Sequence, residues 1–374
     1  MKDFARNKII LAVLTVQMLG CFLDQNVNAV VSRFTSLMSF FLLMFVLVTT
    51  LMPQDGWSLK GLYLGGFVHR GMWLVGFGCF IALVNLFILH SNKGAFLTAA
   101  DVLMAAYLMG RLELSRGERF YFGCLGSAFL LWWYCTVRWY FNFNMTGMIF
   151  MLTALMAMLM MEMLKERGDF PYLGFVQVIT YVTATMLCLL YHARCVLAGM
   201  IVGGVLYLIL PFILKRGALR HALVFAATFG SILFTLFYMS MDALGLNITV
   251  LYKEVLSGRQ YIWRELWEAL LSMPLTGIGS SYHLKSFFIF EVHNGLFDIL
   301  AVHGVLVFAC VVALLYGRLL RTLERADGSV YSRLCLAGAF AMLFTSFFEN
   351  FFINSPYLLI LLILICSVEK KTGV

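Results

Sequence analysis

Runs of about 20 apolar residues, separated by short polar stretches, dominate the pattern of this chain. The runs do not alternate between polar and apolar positions, which favours membrane-spanning helices over the strands of a barrel. The pattern predicts an all-α polytopic membrane protein with about twelve transmembrane helices. Eleven of the predicted spans cover residues 9–23, 34–52, 71–90, 95–110, 120–141, 145–164, 171–191, 222–241, 294–316, 334–347 and 357–368. The eighth follows the interruption of the apolar run by His192 and Arg194 and ends at about Leu214.

The composition explains why such a chain needs a bilayer. Hydrophobic residues make up 62% and charged residues only 12% of the 374 residues, and the mean hydropathy is +0.91. Soluble domains have roughly 45–50% apolar and about 25% charged residues. A chain of this composition cannot hide its apolar surface from water, which excludes a soluble globular protein.

The formal net charge of +8 is distributed unevenly between the loops. With twelve spans, nineteen of the 27 Lys and Arg residues fall on the side that carries both termini. Basic residues favour the cytoplasmic side, so we predict that both termini are cytoplasmic. The basic residues set the topology in this interpretation, and no nucleic-acid partner is expected. The nine cysteines are scattered singly, which is typical of packing residues rather than of a disulfide or zinc framework.

One long polar segment, residues 242–291, follows the ninth span and is predicted to lie at the outer face. Within it, Gly258 and Arg259 precede the sequence YIWRELWEALL, in which apolar residues recur at helical spacing. This helix is too short and too charged to span, so we expect it to lie along the membrane surface, with its aromatic residues at headgroup level. Arg259 stands near the helix N-terminus, where the helix dipole favours an anion.

A Pro-x-x-Gly-x-Gly turn ends this helix, and a His-Asn pair starts the tenth span. Gly277 and Gly279 allow tight turning or close backbone approach. His293 is either a structural residue at the membrane edge or a general base, since an imidazole titrates near neutral pH. Asn294 either caps the following helix or binds a sugar hydroxyl.

Two further charged residues stand in apolar surroundings. Arg194 either reaches the membrane interface or binds an anionic group, to which its planar guanidinium offers two hydrogen bonds. Glu349, in TSFFENFF, either pairs with Arg194 or Arg259 or ends a helix facing water. The predicted topology places Arg194, His293, Glu349 and the segment 242–291 on one outer surface.

The order and spacing of these elements resemble the O-antigen ligase and polymerase family of bacterial envelope enzymes. The resemblance covers about residues 191–352, and the N-terminal half matches only as generic spans. The family often has Ser directly before the first Arg, where this chain has Ala193. The features that carry the resemblance are Arg194 in an apolar run, SGRQYIWRELWEALLSMPLTGIGS, VHNGLFDILAVHGVLVF and TSFFENFF.

The resemblance implies a glycosyltransferase of the bacterial cytoplasmic membrane whose donor is a glycan linked to undecaprenyl diphosphate. It assigns Arg194 and Arg259 to the diphosphate and His293 to the activation of a hydroxyl on a glycan or glycolipid acceptor. No metal and no cofactor is implied, and the chain has no Asp-x-Asp pair to bind a metal. The remaining residues predicted to contact substrate are Asn294, Arg264, Glu349, Gly277 and Gly279.

This hypothesis divides the chain into N-terminal transmembrane helices (1–190), a ligase- or polymerase-like core (191–352) and a last helix with a cytoplasmic tail (353–374). We favour transfer to a terminal acceptor, as in a ligase, over transfer to the next repeat unit, as in a polymerase. A transporter or flippase of lipid-linked glycans is a further alternative, since twelve spans and a cationic cavity would suit it. Against it, the polar groups gather at one face rather than near the bilayer midplane.

Overall fold

The computed structural model describes residues 2–371 apart from 25–28, 52–70, 90, 138–142, 167, 169, 246–248, 251–252, 255–257 and 286–291. The described residues are almost entirely α-helical, which confirms the predicted class. Parts of the predicted outer segment 242–291 thus lie outside the described residues; within it, β1 (Thr249–Val250) pairs antiparallel with β2 (Lys253–Glu254). A 3-10 turn covers Asn350–Ile353, and the helices are α1 (Lys2–Asp24), α2 (Ala29–Leu51), α3 (Met72–Ile88), α4 (Lys93–Leu108), α5 (Arg116–Val137), α6 (Phe143–Lys165), α7 (Leu173–Leu190), α8 (Arg194–Ile213), α9 (Gly217–Thr228), α10 (Gly230–Ala243), α11 (Arg259–Ser272), α12 (Gly295–Arg325), α13 (Val330–Thr345) and α14 (Ser355–Ser367).

Several of these helices could cross a membrane. Among the described residues, α6, α7, α8 and α12 are long and apolar enough, and α9 with α10 makes a fifth if the two count as one bent span. These helices indicate a membrane protein. Every predicted span coincides with one helix or with this bent pair, so the helical character of the spans is confirmed. That all twelve cross the membrane remains a prediction, because several of the other apolar helices contain only 10–17 residues.

The helices differ in how far the protein itself covers them. The helix α14 is buried from Pro356 to Ser367, and α4 is buried from Ala99 to Leu108. In contrast, α7 is apolar but exposed: Phe175 and Leu190 show 69% and 71% of their surface. This is the arrangement expected of central helices packed in protein and of a peripheral helix that faces lipid.

The prediction of one continuous ninth span over residues 222–241 is wrong. The chain breaks at Phe229, and α9 meets α10 at an angle of 57°. The hydroxyl of Thr228 bonds back to the helix carbonyl four residues earlier, an interaction that often bends helices. Just after the break, the side chain of Asn294 donates to the carbonyl of Ser231. A distant residue therefore satisfies a backbone group close to the break.

The tenth predicted span, residues 294–316, is part of the longer helix α12, which continues to Arg325 and breaks at Gly304. The Pro-x-x-Gly-x-Gly turn, residues 274–279, docks into this break, as its glycines were predicted to allow. A Cβ added to Gly277 would lie 2.5 Å from the nitrogen of Gly304, so only glycine permits this approach. Backbone bonds join the two segments, from Val305 to the carbonyl of Pro274 and from Ile278 and Gly279 to the carbonyls of Ala301 and Val302.

The side chain of Asn85 in α3 ties a third segment to this junction. Its amide nitrogen lies 2.7 Å from the carbonyl of Thr276 and 3.3 Å from the carbonyl of His303. Asn85 is buried. Of its two acceptors, Thr276 belongs to the turn that docks into α12, and His303 directly precedes the break at Gly304. The amide nitrogen of Asn85 thus satisfies a carbonyl of each of the other two segments within the protein interior.

The predicted amphipathic helix is confirmed as α11, but its expected orientation is wrong for one of its two tryptophans. Trp263 is completely buried in protein, against the rings of Tyr238 in α10 and Phe297 in α12. Leu266 and Leu270 are buried on the same face. The apolar face of α11 therefore packs on neighbouring helices, which surround Trp263 with aromatic rings.

Candidate functional site

Three side chains from distant parts of the chain meet at the carboxylate of Glu349. Arg259 donates from Nη2 to Oε1 at 2.8 Å, and Asn144 donates from Nδ2 to the same oxygen at 2.6 Å. On the other side, Nδ1 of His293 lies 2.9 Å from Oε2. Glu349 exposes only 4% of its surface, so it does not face water, and its pairing with Arg259 is confirmed. We call these four residues the Glu349 cluster.

Glu349 is held in its charged form. Burial alone would raise the pKa of the carboxyl, but the bond from His293, the charge of Arg259 and the bond from Asn144 hold this pKa below its ordinary value of 4.5. An ionised carboxylate only accepts hydrogen bonds, so Nδ1 of His293 carries a proton. In the neutral imidazole, Nε2 is then the unprotonated nitrogen and can accept a proton from another molecule.

Local sequence explains how Arg259 reaches the cluster. Gly258 precedes α11 in a left-handed conformation, with φ of 87°, which favours glycine and turns the chain into the helix. Trp263 lies one turn after Arg259 on the same side of the helix. The indole nitrogen of Trp263 donates to the carbonyl of Val292 at 2.6 Å. This bond fixes the start of α11 against the residue that directly precedes His293.

His293 is placed by an unusual backbone conformation and by the glycine that follows Asn294. Its φ is 54°, and it is one of two non-glycine residues with positive φ among the described residues, the other being His192. Such conformations are strained and often occur at functional sites. Gly295 then donates to the carbonyl of Ser346, and a Cβ added there would lie 2.8 Å from the Ser346 hydroxyl oxygen. The start of α12 is therefore pressed against the turn that carries Glu349.

Asn294 takes the capping role, the first of its two predicted alternatives. Its Oδ1 accepts from the backbone nitrogen of Phe297 at 3.0 Å and from the hydroxyl of Ser231 at 2.6 Å. Its amide nitrogen lies 3.1 Å from the hydroxyl oxygen of Thr235. Asn294 is fully buried, so its polar atoms hold α10 to α12 and present no surface to a sugar.

Arg194 begins α8 beside the Glu349 cluster. Its neighbour Cys195 lies close enough to Glu349 and Arg259 to be influenced by both charges. Ala193, the residue in the place where the resembling family often has Ser, is completely buried, and it leaves no room for a side chain at Gly147 of α6. Since α6 also carries Asn144, this packing brings the first turns of α6 and α8 to the same end of the protein.

The other residues predicted to contact substrate make their described contacts elsewhere. Arg264 donates to the carbonyl of Met239 in α10 at 3.4 Å. Gly277 packs against the break in α12, and Gly279 packs against Leu89 and Ser91 between α3 and α4. These contacts give the two glycines a structural role.

Asn144 is the member of the cluster that the sequence prediction missed. It stands at the start of α6, in the apolar sequence FNFNMTGM, and its partner Glu349 follows 205 positions later. A polar residue at the end of a predicted span is common, because span ends meet headgroups and water. Only its predicted position at the same membrane face as Glu349 could have singled it out.

No three His, Cys, Asp or Glu side chains of the described residues are grouped so as to hold a metal ion. No protein-family model, curated protein or solved structure matches the chain.

Proposed function

We propose that the protein transfers an oligo- or polysaccharide from an undecaprenyl-diphosphate carrier to an acceptor hydroxyl at the outer face of a bacterial cytoplasmic membrane. The observation that carries the proposal is the ionised Glu349, which bonds to His293 on one side and to Arg259 on the other. A carboxylate that fixes the tautomer of an imidazole prepares that imidazole to activate a hydroxyl. The sequence resemblance supplies the donor and acceptor classes.

In the proposed reaction, Nε2 of His293 accepts the proton of the acceptor hydroxyl. The hydroxyl oxygen attacks the anomeric carbon of the donor glycan, and the bond from that carbon to the diphosphate oxygen breaks. Undecaprenyl diphosphate leaves with the bonding electrons. Glu349 stabilises the imidazolium that forms, as the carboxylate does in catalytic triads. The donor is already activated, so no nucleotide is consumed.

The resemblance assigns Arg194 to the diphosphate as well, and Arg194 begins α8 beside the Glu349 cluster. Arg259 and Glu349 cancel each other in formal charge. Arg259 still contributes hydrogen bonds, because a guanidinium has five N–H donors and one of them is engaged with Glu349. Donors held in place stabilise the charge that grows on the leaving diphosphate.

The proposed acceptor is a terminal one, as in a ligase, and a polymerase that extends lipid-linked repeat units is the alternative. Both use the same step at the Glu349 cluster and differ in what offers the hydroxyl. The length of the product separates them, because a polymerase makes a ladder of repeats and a ligase makes a single transfer.

The test is glycan transfer by the purified full-length protein in lipid nanodiscs. Undecaprenyl-diphosphate-linked glycan and candidate acceptors are supplied with chelator and without nucleotide. The variants are His293→Ala and Arg259→Ala, with His283→Ala as the matched control, because His283 is exposed and lies outside the Glu349 cluster. Unfolding temperatures show whether each variant is folded.

We expect wild type and His283→Ala to transfer glycan, and folded His293→Ala to be slower by about 10²–10⁴-fold, the usual contribution of a general base. Transfer by His293→Ala at the wild-type rate would refute the assignment of the base. If wild type transfers nothing but moves lipid-linked glycan across liposome bilayers, the transporter alternative replaces the proposal.

A further inference from the structure

A basic cavity lies where the C-terminal ends of α2, α4, α12 and α14 come together. Its volume is about 390 Å³, within the range of roughly 300–1,000 Å³ found for small-molecule sites. It is separate from the Glu349 cluster. The cavity and the cluster lie near opposite ends of α13. At one end, Ser346 lies beside Gly295, close to the cluster; at the other end, the hydroxyl of Ser332 accepts from the backbone of Glu369, next to Lys370 of the cavity. The 16 residues of α13 span about 24 Å. The charged residues that line the cavity are Arg111, Arg318, Arg321, Arg325, Lys370 and Glu113.

The lining is strongly positive. Five cations and one carboxylate give these six side chains a formal net charge of +4. Glu113 forms an ion pair with Lys370. Within the described part of the chain, no carboxylate forms an ion pair with Arg318, Arg321 or Arg325, and the charges of Arg111, Arg321 and Arg325 all act on Arg318.

The helix ends explain part of this charge. Each helix C-terminus carries about −0.5 of an elementary charge, so the four ends contribute about −2 and favour nearby cations. The effect of a helix end also falls off within its last turn, and Arg318 lies almost two turns before the end of α12. Complementing the helix ends therefore does not account for Arg318.

Arg318 is the residue that points to a ligand. It exposes only 7% of its surface, and its guanidinium lies over the ring of Tyr107, 4.9 Å from the centroid. The guanidinium of Arg111 lies 4.3 Å from the same ring. One aromatic ring thus holds two cations, although a cation–π contact stabilises a charge by only about 0.5–2 kcal/mol. Buried charges are normally paired, and here an anion would complete the arrangement.

We propose that this cavity binds a phosphate-bearing anion. Guanidinium groups bind phosphate oxygens in pairs, and several of them around one cavity suit a group with more than one negative charge. The phosphate belongs either to the headgroup of an anionic lipid or to a soluble phosphate or diphosphate. Basic pockets between membrane helices bind anionic lipid headgroups in other proteins. The proposal concerns a second site and does not depend on glycan transfer.

The experiment measures thermal unfolding of the detergent-solubilised full-length protein. One arm adds phosphatidylglycerol, with phosphatidylcholine as the zwitterionic control, and the other arm adds inorganic diphosphate at constant ionic strength. The variants are Arg318→Gln and Arg321→Gln. The control is Arg216→Gln, which removes the same charge from an exposed arginine outside the cavity.

A ligand that binds the folded state raises the unfolding temperature in a concentration-dependent way. We expect one of the two phosphate probes to do so in wild type and in Arg216→Gln, and to need at least about tenfold higher concentration in Arg321→Gln. A response to phosphatidylglycerol alone identifies a lipid site, and a response to diphosphate alone identifies a soluble ligand. No response in wild type, or the same response in Arg321→Gln and Arg216→Gln, would overturn the proposal even if Arg318→Gln failed to fold.

Discussion

Nδ1 of His293 lies 2.9 Å from Oε2 of Glu349, although the two residues are 56 positions apart. His293 reaches this position in a left-handed conformation, while Glu349 stands in the turn that connects α13 to the 3-10 turn. Because the carboxylate is ionised, the contact determines which nitrogen of the imidazole is protonated. One buried carboxylate thus decides both the orientation and the tautomer of the proposed base.

Replacing the carboxylate of Glu349 by an amide removes its negative charge but keeps a side chain that can still orient His293. We expect Glu349→Gln to lower the rate of glycan transfer by at least about 10²-fold, because an amide can hold the wrong tautomer and cannot stabilise the imidazolium. Removing one partner of a buried ion pair should also cost about 3–5 kcal/mol. The measurements are transfer rate and chemical unfolding, and Glu268→Gln, an exposed carboxylate on α11, is the control. A Glu349→Gln protein with the wild-type rate would refute the role of Glu349.

The lowered pKa of Glu349 predicts a pH dependence of stability. A carboxyl whose pKa is lower in the folded state than in the unfolded state stabilises the fold above its unfolded pKa, and the stabilisation is lost as pH falls through the folded pKa. We therefore expect the unfolding temperature of wild type to fall more steeply than that of Glu349→Gln below pH 4.5. Parallel curves for the two proteins would show that Glu349 is not the group responsible.

The docking of residues 274–279 into the break of α12 can be tested at Gly277. Its φ is 76°, and a Cβ there would lie 2.5 Å from the nitrogen of Gly304. We expect Gly277→Ala to destabilise the protein by roughly 2–5 kcal/mol, from about 1–2 kcal/mol of backbone strain and about 1–3 kcal/mol of overpacking. Gly245→Ala is the control, because Gly245 has φ of 65° and nothing within 4 Å of the added Cβ. If chemical unfolding showed the same loss of stability in Gly277→Ala and Gly245→Ala, the close approach of Gly277 to Gly304 would contribute nothing to stability.

The capping role of Asn294 predicts a loss of stability rather than a specific loss of substrate binding. Asn294→Ala removes a helix cap, worth about 1 kcal/mol, and leaves the buried hydroxyl of Ser231 without its partner, at about 1–3 kcal/mol, while the hydroxyl of Thr235 keeps its bond to the carbonyl of Ser231. Asn92→Ala is the matched control, since Asn92 caps α4 at an exposed position and should lose only the cap. If Asn294→Ala unfolded like wild type but bound donor poorly, Asn294 would be a substrate ligand instead.

The sequence predicted where helices form, because apolar runs of membrane length leave few other solutions. It also placed Arg259, His293 and Glu349 at one face through the alternation of the spans. It did not identify Asn144 as a fourth partner, since no pattern distinguishes it from other polar residues at helix ends. Nor did it show that Glu349 is enclosed, because burial depends on how α6, α8 and α12 pack around the turn.

The differences between prediction and structure arise where distant segments meet. Asn294 bonds to Ser231 just after the break at Phe229, and the turn that contains Gly277 docks into the break at Gly304. A hydropathy pattern records the apolar character of each stretch but not its partners. The sequence also does not determine the surroundings of Trp263, since an indole suits both a membrane interface and an aromatic pocket in protein.

The two hydrogen bonds of Asn85 link the folding of the early helices to the synthesis of later parts of the chain. Asn85 is made early, and its acceptors on Thr276 and His303 follow 191 and 218 positions later. Until they arrive, its amide must find other partners, because a buried polar group without a hydrogen bond costs about 1–3 kcal/mol. The early helices can therefore reach their final arrangement only after most of the chain has left the ribosome. In a fragment that stops before Thr276, the amide of Asn85 would lack both of these acceptors permanently.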